Sequence, residues 1–429
     1  MSSKSDKKKS LVPRLRFPEF REAGAWEVKR LGELASRITG RVGSKKLIPI
    51  SISSGVGFVS QAEKFGRDIS GKQYEKYIAL ERGQFSYNKG NSKTFPQGSI
   101  YQLQEFEDAA VPNAFYSFEF KKKYVPEFYN GYFEKNFHGH QLARFITSGA
   151  RSDGLLNISA ADFFSIVLPT PTNRDEQQKI AHCLSSLDEV IGLQAKKVQA
   201  LKQHKKGLMQ QLFPAEGETT TPRLRFPEFR EAGAWEVKRL GGICNVLQGY
   251  GFPERLQGRQ GGKYPFCKVS DITSAVNENG GHVVTAANYA DEDIVAELRA
   301  KPIPVGATIF AKIGEALRLN KRAIVDVECL VDNNVTGLKA KASAAVDYFI
   351  FLLSQNVDLN KHCGGAVPSV NKSTMEAIKV LVPEPPEQQK IAHCLSSLDE
   401  VIGLESHKLD ALKNLKKGLM QQLFPQDVA

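Results

Sequence analysis

The stretch EQQKIAHCLSSLDEVIGL occupies residues 176–193 and returns without a change at residues 387–404. A second shared stretch, KKGLMQQLFP, follows each copy at residues 205–214 and 416–425. Both pairs of copies are separated by 211 residues. The chain therefore contains an internal duplication, and the plan of one half predicts the plan of the other.

Apolar residues of each copy alternate in steps of four and three along the whole stretch. Of ten such positions in each copy eight are apolar, and the two polar ones fall at the same steps, Gln194 and Lys205 in the first copy and Glu405 and Lys416 in the second. A seven-residue period held this long is typical of a left-handed coiled coil. The apolar seam positions are Ile180, Leu184, Leu187, Ile191, Val198, Leu201, Leu208 and Leu212 in the first copy and Ile391, Leu395, Leu398, Ile402, Leu409, Leu412, Leu419 and Leu423 in the second.

Two helices of this kind in one chain favour pairing with each other. The pattern predicts helices over residues 176–214 and 387–425, each ended by a proline, Pro214 or Pro425. Successive copies of one half, related by a pseudo-twofold axis, place equivalent helices head to tail. We therefore predict an antiparallel coiled coil within the chain, rather than two helices that each pack only on their own domain.

A shorter repeat, PRLRFPEFREAGAWEVKRLG, fills residues 13–32 and again residues 222–241. It interleaves aromatic and basic residues, and Pro18 and Pro227 favour an extended backbone. This pattern suits docking against a domain better than a platform for stacked nucleotides. We call residues 13–32 the first strap and residues 222–241 the second strap.

The two regions between the repeats, residues 33–175 and 242–386, share little sequence. In both, short apolar runs alternate with turn signals, which predicts a mixed, mostly β structure with a few helices. We therefore predict an α+β protein, in which two mixed α/β domains are joined by two long helices. The predicted parts are a disordered tail over 1–12, a first domain over 13–175, a first helix over 176–214, a second domain over 215–386 and a second helix over 387–425.

Composition narrows the class of protein. The net charge of +11 lies largely in the N-terminal part, so it supports nucleic-acid binding only modestly. Six cysteines form no CxxC pair, which favours buried thiols in a reduced cytoplasm over zinc or disulfides. No window approaches the roughly 18 apolar residues of a membrane span, and the basic N-terminus lacks an apolar signal core. We expect a cytoplasmic protein that does not bind membranes.

Basic and small polar residues concentrate in loops of the two unlike regions. These are the side-chain types that hold phosphates and read base edges. Any one of them alone is best explained as a solvated surface charge, so only the clusters favour nucleic acid. The candidate DNA-contact residues are Arg41, Lys45, Lys46, Asn88, Lys89, Ser92, Lys93 and Arg151 in the first region and Lys268, Lys312, Arg318, Lys321 and Arg322 in the second.

Catalytic motifs are missing from the sequence. It has no phosphate-binding GxxxxGK[ST] loop and no GxGxxG opening a helix after a strand. The Glu119-Phe120-Lys121 triple with Asp108 imitates a nuclease site, but such triples occur by chance. His138 and His140 lack further metal ligands at useful spacing. We predict no catalytic residue, no metal site and no cofactor bound by this chain.

Two unlike regions, each followed by a proline-rich stretch, the EQQKIAHCLSSLDEVIGL helix and GLMQQLFP, resemble the specificity subunit of Type I restriction–modification systems. The resemblance covers nearly the whole chain beyond the first dozen residues. It implies that each unlike region is a target-recognition domain for one half of a split double-stranded DNA site. It also implies that the helices set the distance between the halves.

The same resemblance implies the partners. Two modification subunits would bind the helices and supply S-adenosylmethionine-dependent adenine N6 methylation, and restriction subunits would add ATP- and Mg²⁺-dependent translocation and cleavage. This chain would carry none of these activities. The sequence leaves two alternatives open, a coiled-coil scaffold that joins two domains binding a non-DNA ligand, and an autonomous nuclease or methyltransferase.

Overall fold

A computed structural model describes residues 11–90, 95–146, 155–214, 219–364 and 367–425. The chain forms two compact units. The first unit combines Met1–Leu193 with Asp410–Ala429, and the second consists of Gln194–Leu409. Each unit therefore contains one of the unlike regions together with parts of both long helices.

The first half of the chain is rich in short strands. They are β1 (Glu27–Arg30), β2 (Ala35–Arg37), β3 (Ile50–Ser53), β4 (Gly57–Ser60), β5 (Ile78–Glu81), β6 (Phe85–Asn88), β7 (Ser99–Gln102), β8 (Asp108–Val111), β9 (Tyr116–Phe120) and β10 (Val167–Thr170). The helices are α1 (Leu31–Leu34), α2 (Gln61–Phe65), α3 (Pro126–Glu134), α4 (Phe137–Leu142), α5 (Ala160–Phe164) and α6 (Arg174–Leu212), and 3-10 turns cover Pro18–Phe20, Gly71–Lys76 and Ala143–Phe145.

A four-stranded sheet of order β2-β9-β6-β7 forms the centre of the first unit. Three further pairs, β1-β10, β3-β4 and β5-β8, surround it. Aromatic side chains of the sheet, such as Phe85, Tyr87 and Phe118, are fully buried and share one core with Tyr129 and Phe133 of α3. Burial of several large rings supplies most of the driving force for this packing.

The second half has a similar content. Its strands are β11 (Glu236–Arg239), β12 (Cys244–Gln248), β13 (Tyr264–Cys267), β14 (His282–Val283), β15 (Tyr289–Ala290), β16 (Thr308–Ala311), β17 (Ala323–Val325), β18 (Leu330–Val331), β19 (Val335–Ala340) and β20 (Lys379–Val382). Its helices are α7 (Leu240–Ile243), α8 (Val269–Glu278), α9 (Glu292–Leu298), α10 (Glu315–Arg318), α11 (Asp347–Asn356), α12 (Lys372–Ala377) and α13 (Pro385–Leu423), with 3-10 turns at Pro227–Phe229, Glu254–Leu256 and Leu359–His362.

The central sheet of the second unit has the order β12-β19-β16-β17-β14, beside a three-stranded sheet β15-β13-β18 and the pair β11-β20. Its first four strands repeat the order β2-β9-β6-β7 of the first unit. The register also repeats, since Tyr87 lies opposite Tyr116 in the first sheet and Phe310 lies opposite Thr336 in the second. The two unlike regions thus share a fold although they share little sequence.

The helices α6 and α13 are 39 residues long each. All twenty predicted seam positions, polar ones included, are buried or half-buried. In the second unit Gln194 Nε2 donates to Glu405 Oε2 at 2.6 Å, and Lys205 Nζ lies 2.5 Å from Asp399 Oδ2. The residue numbers rise along α6 while those of their partners fall along α13, so the two helices are antiparallel there. In the first unit Lys416 Nζ lies 2.6 Å from Asp188, which is the copy of Asp399.

Among the described residues no helix has both the length and the hydropathy needed to cross a bilayer. The long helices fail this requirement because their outward faces are charged. The mean hydropathy of the whole chain is −0.32. The largest apolar cores, one in each unit, combine side chains from helices and strands.

Candidate DNA interface and helix anchors

The first strap lies over the start of α6 and is held there by a buried ion pair. Arg16 donates from Nε and Nη2 to the two carboxylate oxygens of Glu176, both at 2.7 Å. Trp26 Nε1 donates to the same carboxylate at 3.2 Å. Arg16 is 8% exposed and Glu176 is 1% exposed. The carboxylate sits in the first helical turn, where the helix dipole stabilises an anion.

The second strap repeats this arrangement. Arg225 donates to both oxygens of Glu387 at 2.8 and 2.7 Å, and Trp235 Nε1 donates to Glu387 at 3.4 Å. The hydrogen bonds to Glu387 raise the pKa of Arg225. The aromatic and basic pattern of the repeat thus serves to hold each strap against the start of one long helix.

Each strap also receives the end of a long helix. In the first unit the ring of Phe424 packs edge-on against Trp26, with 6.3 Å between the ring centroids. Gly131 allows this approach, because a Cβ atom there would come within 2.5 Å of the Phe424 ring. In the second unit Phe213 packs against Trp235 in the same manner, at 5.7 Å. Identical helix ends therefore meet identical straps, and the two copies of each repeat form the same contact in both units.

In the first unit a cationic cluster lies at the end of β6. Lys89 Nζ lies 4.6 Å from the ring centroid of Tyr116, and the guanidinium of Arg37 lies 5.4 Å from the same ring. Next to it the Asn88 side chain accepts a hydrogen bond from the backbone of Gly90 at 2.9 Å. Arg37 and Tyr116 could not be predicted from the sequence, because only the pairing of β2, β9 and β6 places them beside Lys89.

The other candidates of the first unit lie apart from this cluster. Arg41, Lys45 and Lys46 are exposed on the segment between β2 and β3. Within the described residues no hydrogen bond or ion pair connects their side chains to Lys89. Three further candidates lie outside the described residues, Ser92, Lys93 and Arg151.

In the second unit three candidates belong to the segment between β16 and β17. Lys312 directly follows β16 and is half-buried, and Lys321 near the end of the segment is half-buried as well. Arg318 is exposed and pairs with Glu315 at 2.8 Å. Lys268 lies between β13 of another sheet and α8, where its Nζ donates to Gln257 at 2.5 Å.

Arg322 lies in the interior. It is 3% exposed, and its guanidinium lies 4.2 Å from the ring centroid of Phe310. Its Nε and Nη2 have no hydrogen-bond partner among the described residues, and burial lowers the pKa of Arg322 to about 9. Arg322 was predicted to contact DNA, but its side chain is buried and does not reach the surface of this unit. The sequence shows that a residue is charged, but it does not show whether that residue is buried.

No group of three or more His, Cys, Asp or Glu side chains within the described part of the chain could hold a metal ion. His138 is fully buried in the first core, where its Nε2 lies 3.1 Å from the Gly98 carbonyl oxygen. Burial lowers the pKa of His138 to about 4. Cys244, Cys267 and Cys329 are buried free thiols. These groups belong to the packing of the two units.

The family described as "Type I restriction modification DNA specificity domain" matches the chain twice, over residues 24–203 and 233–414. The two matches cover most of the chain and correspond to its two halves. The chain belongs to this family. It is a specificity subunit with two target-recognition domains, and in this family the catalytic activities lie in partner subunits.

Known relatives of this specificity subunit come from Methanocaldococcus jannaschii. The putative type I restriction enzyme MjaX specificity subunit is 25% identical over 314 residues, which cover 71% of this chain and 68% of the relative. The MjaVIII specificity subunit is 22% identical over 424 residues, covering 96% of this chain and 93% of the relative.

Two solved structures share the fold of this specificity subunit. The S subunit of a Type I restriction-modification system from M. genitalium is 14% identical, with a TM-score of 0.58, and the match covers 97% of this chain and 100% of that one. A chain from a study of complex assembly and conformational transition in the type I R-M system is 14% identical, with a TM-score of 0.51, covering 94% and 98%. At this identity the likeness shows the fold alone.

Proposed function

We propose that the two target-recognition domains read the two halves of a bipartite site in double-stranded DNA. The observation that carries this proposal is the contrast between an identical frame and two unlike domains. Identical straps and helix ends need identical neighbours, whereas two domains of one fold and different loops suit two different DNA sequences. The proposed contacts are Arg41, Lys45, Lys46, Asn88, Lys89, Ser92, Lys93 and Arg151 in the first domain and Lys268, Lys312, Arg318 and Lys321 in the second.

We infer that the long helices form one antiparallel coiled coil with pseudo-twofold symmetry, which sets the separation of the half-sites. The equivalent residues Gln194 and Glu405 meet each other, as residues on such an axis would. A helix of 39 residues extends for about 58 Å. Two half-sites on one face of B-DNA lie about 34–36 Å apart, so helices of this length suffice to separate two readers by one turn.

Two copies of a modification subunit are the proposed partners on these helices. Leu193 and its copy Leu404 are 60% and 70% exposed, and Val190 and its copy Val401 are exposed beside them. Two identical apolar patches suit two identical partners.

Leu193→Asp combined with Leu404→Asp is expected to abolish co-purification of the modification subunit, and unchanged co-purification would contradict this docking surface.

Other activities of the system are assigned to the partner chains. S-adenosylmethionine would be bound by the modification subunits, and ATP and Mg²⁺ by restriction subunits. The proposed place of action is the cytoplasm, where the host DNA lies. The specificity subunit would contribute recognition and assembly, and no chemical step.

Exchange of one domain tests the proposal directly. Residues 33–175 are replaced by the corresponding region of another member of the family, and the methylated sites of a host carrying the chimera are sequenced. We expect one half-site to change, while the other half-site and the gap between them stay as in the wild type. A change in both half-sites, or in neither, would contradict the division into two independent readers.

A further inference from the structure

Lys89 and Lys312 occupy the same position in the two target-recognition domains. Lys89 follows β6, which pairs with β9 on one side and β7 on the other. Lys312 follows β16, which pairs with β19 and β17 in the same order. The strand pairing makes Tyr87 of β6 equivalent to Phe310 of β16. Lys89 is the second residue after Tyr87, and Lys312 is the second residue after Phe310.

The backbone behind each lysine is held in the same way. The amide of Leu156 donates to the carbonyl oxygen of Lys89 at 3.0 Å, and the amide of Val370 donates to that of Lys312, also at 3.0 Å. One residue further, Gly90 forms a bridge with Leu155 and Ile313 forms one with Ser369. The start of the connection to the next strand is therefore fixed equally in both domains.

The two connections also end alike. The first reaches β7 through Gly98 with φ +82°, and the second reaches β17 through Asn320 with φ +51°. Both are left-handed conformations that few residue types adopt readily. Gly98 lies two residues before Ile100, which pairs with Tyr87. Asn320 lies two residues before Arg322, which comes one step beyond the pair formed by Ile309 and Ala323 and so corresponds to Ile100. Two unlike sequences thus begin and end this connection in equivalent ways, as far as its described residues extend.

The two lysine side chains have different neighbours, but both ammonium groups are available to bind an anion. Among the described residues the ammonium of Lys312 has neither a hydrogen-bond nor an ion-pair partner. In the described part of the chain the ammonium of Lys89 contacts the ring and the hydroxyl group of Tyr116, and it has no carboxylate partner there. Thr336 replaces Tyr116 at the equivalent position of the second sheet, and Arg37 is replaced by Val246. The lysine is the cation that both sheets share at this end.

We propose that Lys89 and Lys312 bind equivalent DNA phosphates, one in each half-site. This inference rests on the proposed reading of bipartite DNA. Two half-sites of different sequence have only the sugar–phosphate backbone in common. A lysine that both recognition domains place at the same position is therefore suited to bind that backbone. Lysine supplies a compact charge without the forked geometry that reads guanine, and phosphate contacts fix the register of a protein on the duplex. The unlike residues of each domain remain free to read bases.

The test uses the complete complex of the chain with its modification subunits, bound to DNA that carries both half-sites. Lys89→Met, Lys312→Met and the double variant are compared over a series of salt concentrations. Each single substitution is expected to reduce the slope of log affinity against log salt by about 0.9, and the double substitution by about 1.8. Affinity should fall equally for cognate and unrelated duplexes, and the methylated sequence should stay the same.

Matched variants separate this role from general effects of charge. Lys72→Met and Lys301→Met remove exposed lysines elsewhere in the same domains and should leave the slope at its wild-type value. Lys89→Arg and Lys312→Arg keep the charge and should retain the slope. An unchanged slope in the methionine variants would overturn the inference, as would a changed half-site sequence, which would indicate base reading. Failure of the wild-type complex to prefer bipartite DNA would instead overturn the proposed function.

Discussion

Glu176 accepts three hydrogen bonds in an interior position, from Arg16 and from Trp26. Removal of one charge from a buried ion pair leaves the other uncompensated, at a cost of about 3–5 kcal/mol. Glu176→Gln is therefore expected to lower the free energy of unfolding of the first unit by about 3 kcal/mol. Glu387→Gln should have the same effect on the second unit, and calorimetry of the two variants measures both.

Two further variants control this prediction. Glu189→Gln removes an exposed carboxylate from the same helix and is expected to change stability by only about 0–1 kcal/mol. Arg16→Met combined with Glu176→Met should recover most of the loss, because apolar side chains of similar size often replace a buried ion pair without cost. Equal melting temperatures for Glu176→Gln and Glu189→Gln would show that the pair does not anchor the strap.

Arg322 shows the opposite case, a buried guanidinium whose Nε and Nη2 lack hydrogen-bond partners among the described residues. The equivalent position of the first domain is Ile100, which is 4% exposed. Arg322→Met is expected to raise the free energy of unfolding by about 1 kcal/mol, since the gain from removing unpaired donors exceeds the lost interaction with Phe310. DNA affinity should remain unchanged. Lower stability, or weaker DNA binding, would show that the guanidinium has a role that its burial conceals.

At the scale of the helices, the distance between the readers follows from the number of heptads. Removal of seven residues from each long helix shortens it by about 10 Å and keeps the seam in phase. We expect the gap between the methylated half-sites to shorten by about 3 base pairs, since successive base pairs are about 3.4 Å apart. The half-site sequences should stay the same. An altered half-site with an unchanged gap would contradict the role of the helices.

The long helices are also the elements that sequence analysis located best. Predicted over 176–214 and 387–425, they are found at Arg174–Leu212 and Pro385–Leu423. A seven-residue period is local information, so a single sequence suffices to detect it. The two-residue difference at the C-terminal ends has a tertiary cause, because Phe213 and Phe424 leave the helix to pack against the straps. The partners of the polar seam residues depend on the pairing register, which no local pattern contains.

The sheets were less accessible to sequence analysis. Apolar runs and turn signals indicated strands in both unlike regions, and their shared strand order appeared only in the structure. The equivalence of Lys89 and Lys312 depends on contacts with distant segments around residues 155–156 and 369–370. Charge composition singled out both lysines, but it also singled out the buried Arg322. Burial and strand pairing depend on residues that are distant in the sequence. They determine which of the candidate residues lie at the surface of the folded protein.

For the whole molecule, the duplication separates two kinds of constraint. Residues 416–425 end on the first strap, and residues 205–214 end on the second. Each strap therefore accepts the helix end from the other copy, so a change in one repeat has to remain compatible with both. The recognition domains do not have to fit both halves of the molecule in this way, and only their shared sheet constrains them alike. Their sequences can therefore diverge, and so can the DNA sequences that they recognise.

Methylome sequencing of the host, with the gene present, deleted and restored, shows whether this chain supplies the DNA specificity of a methylating complex through two readers. We expect one bipartite motif with methylated adenine in both halves, lost on deletion and regained on restoration. Methylation that is unchanged by deletion, or that follows a single undivided motif, would contradict it.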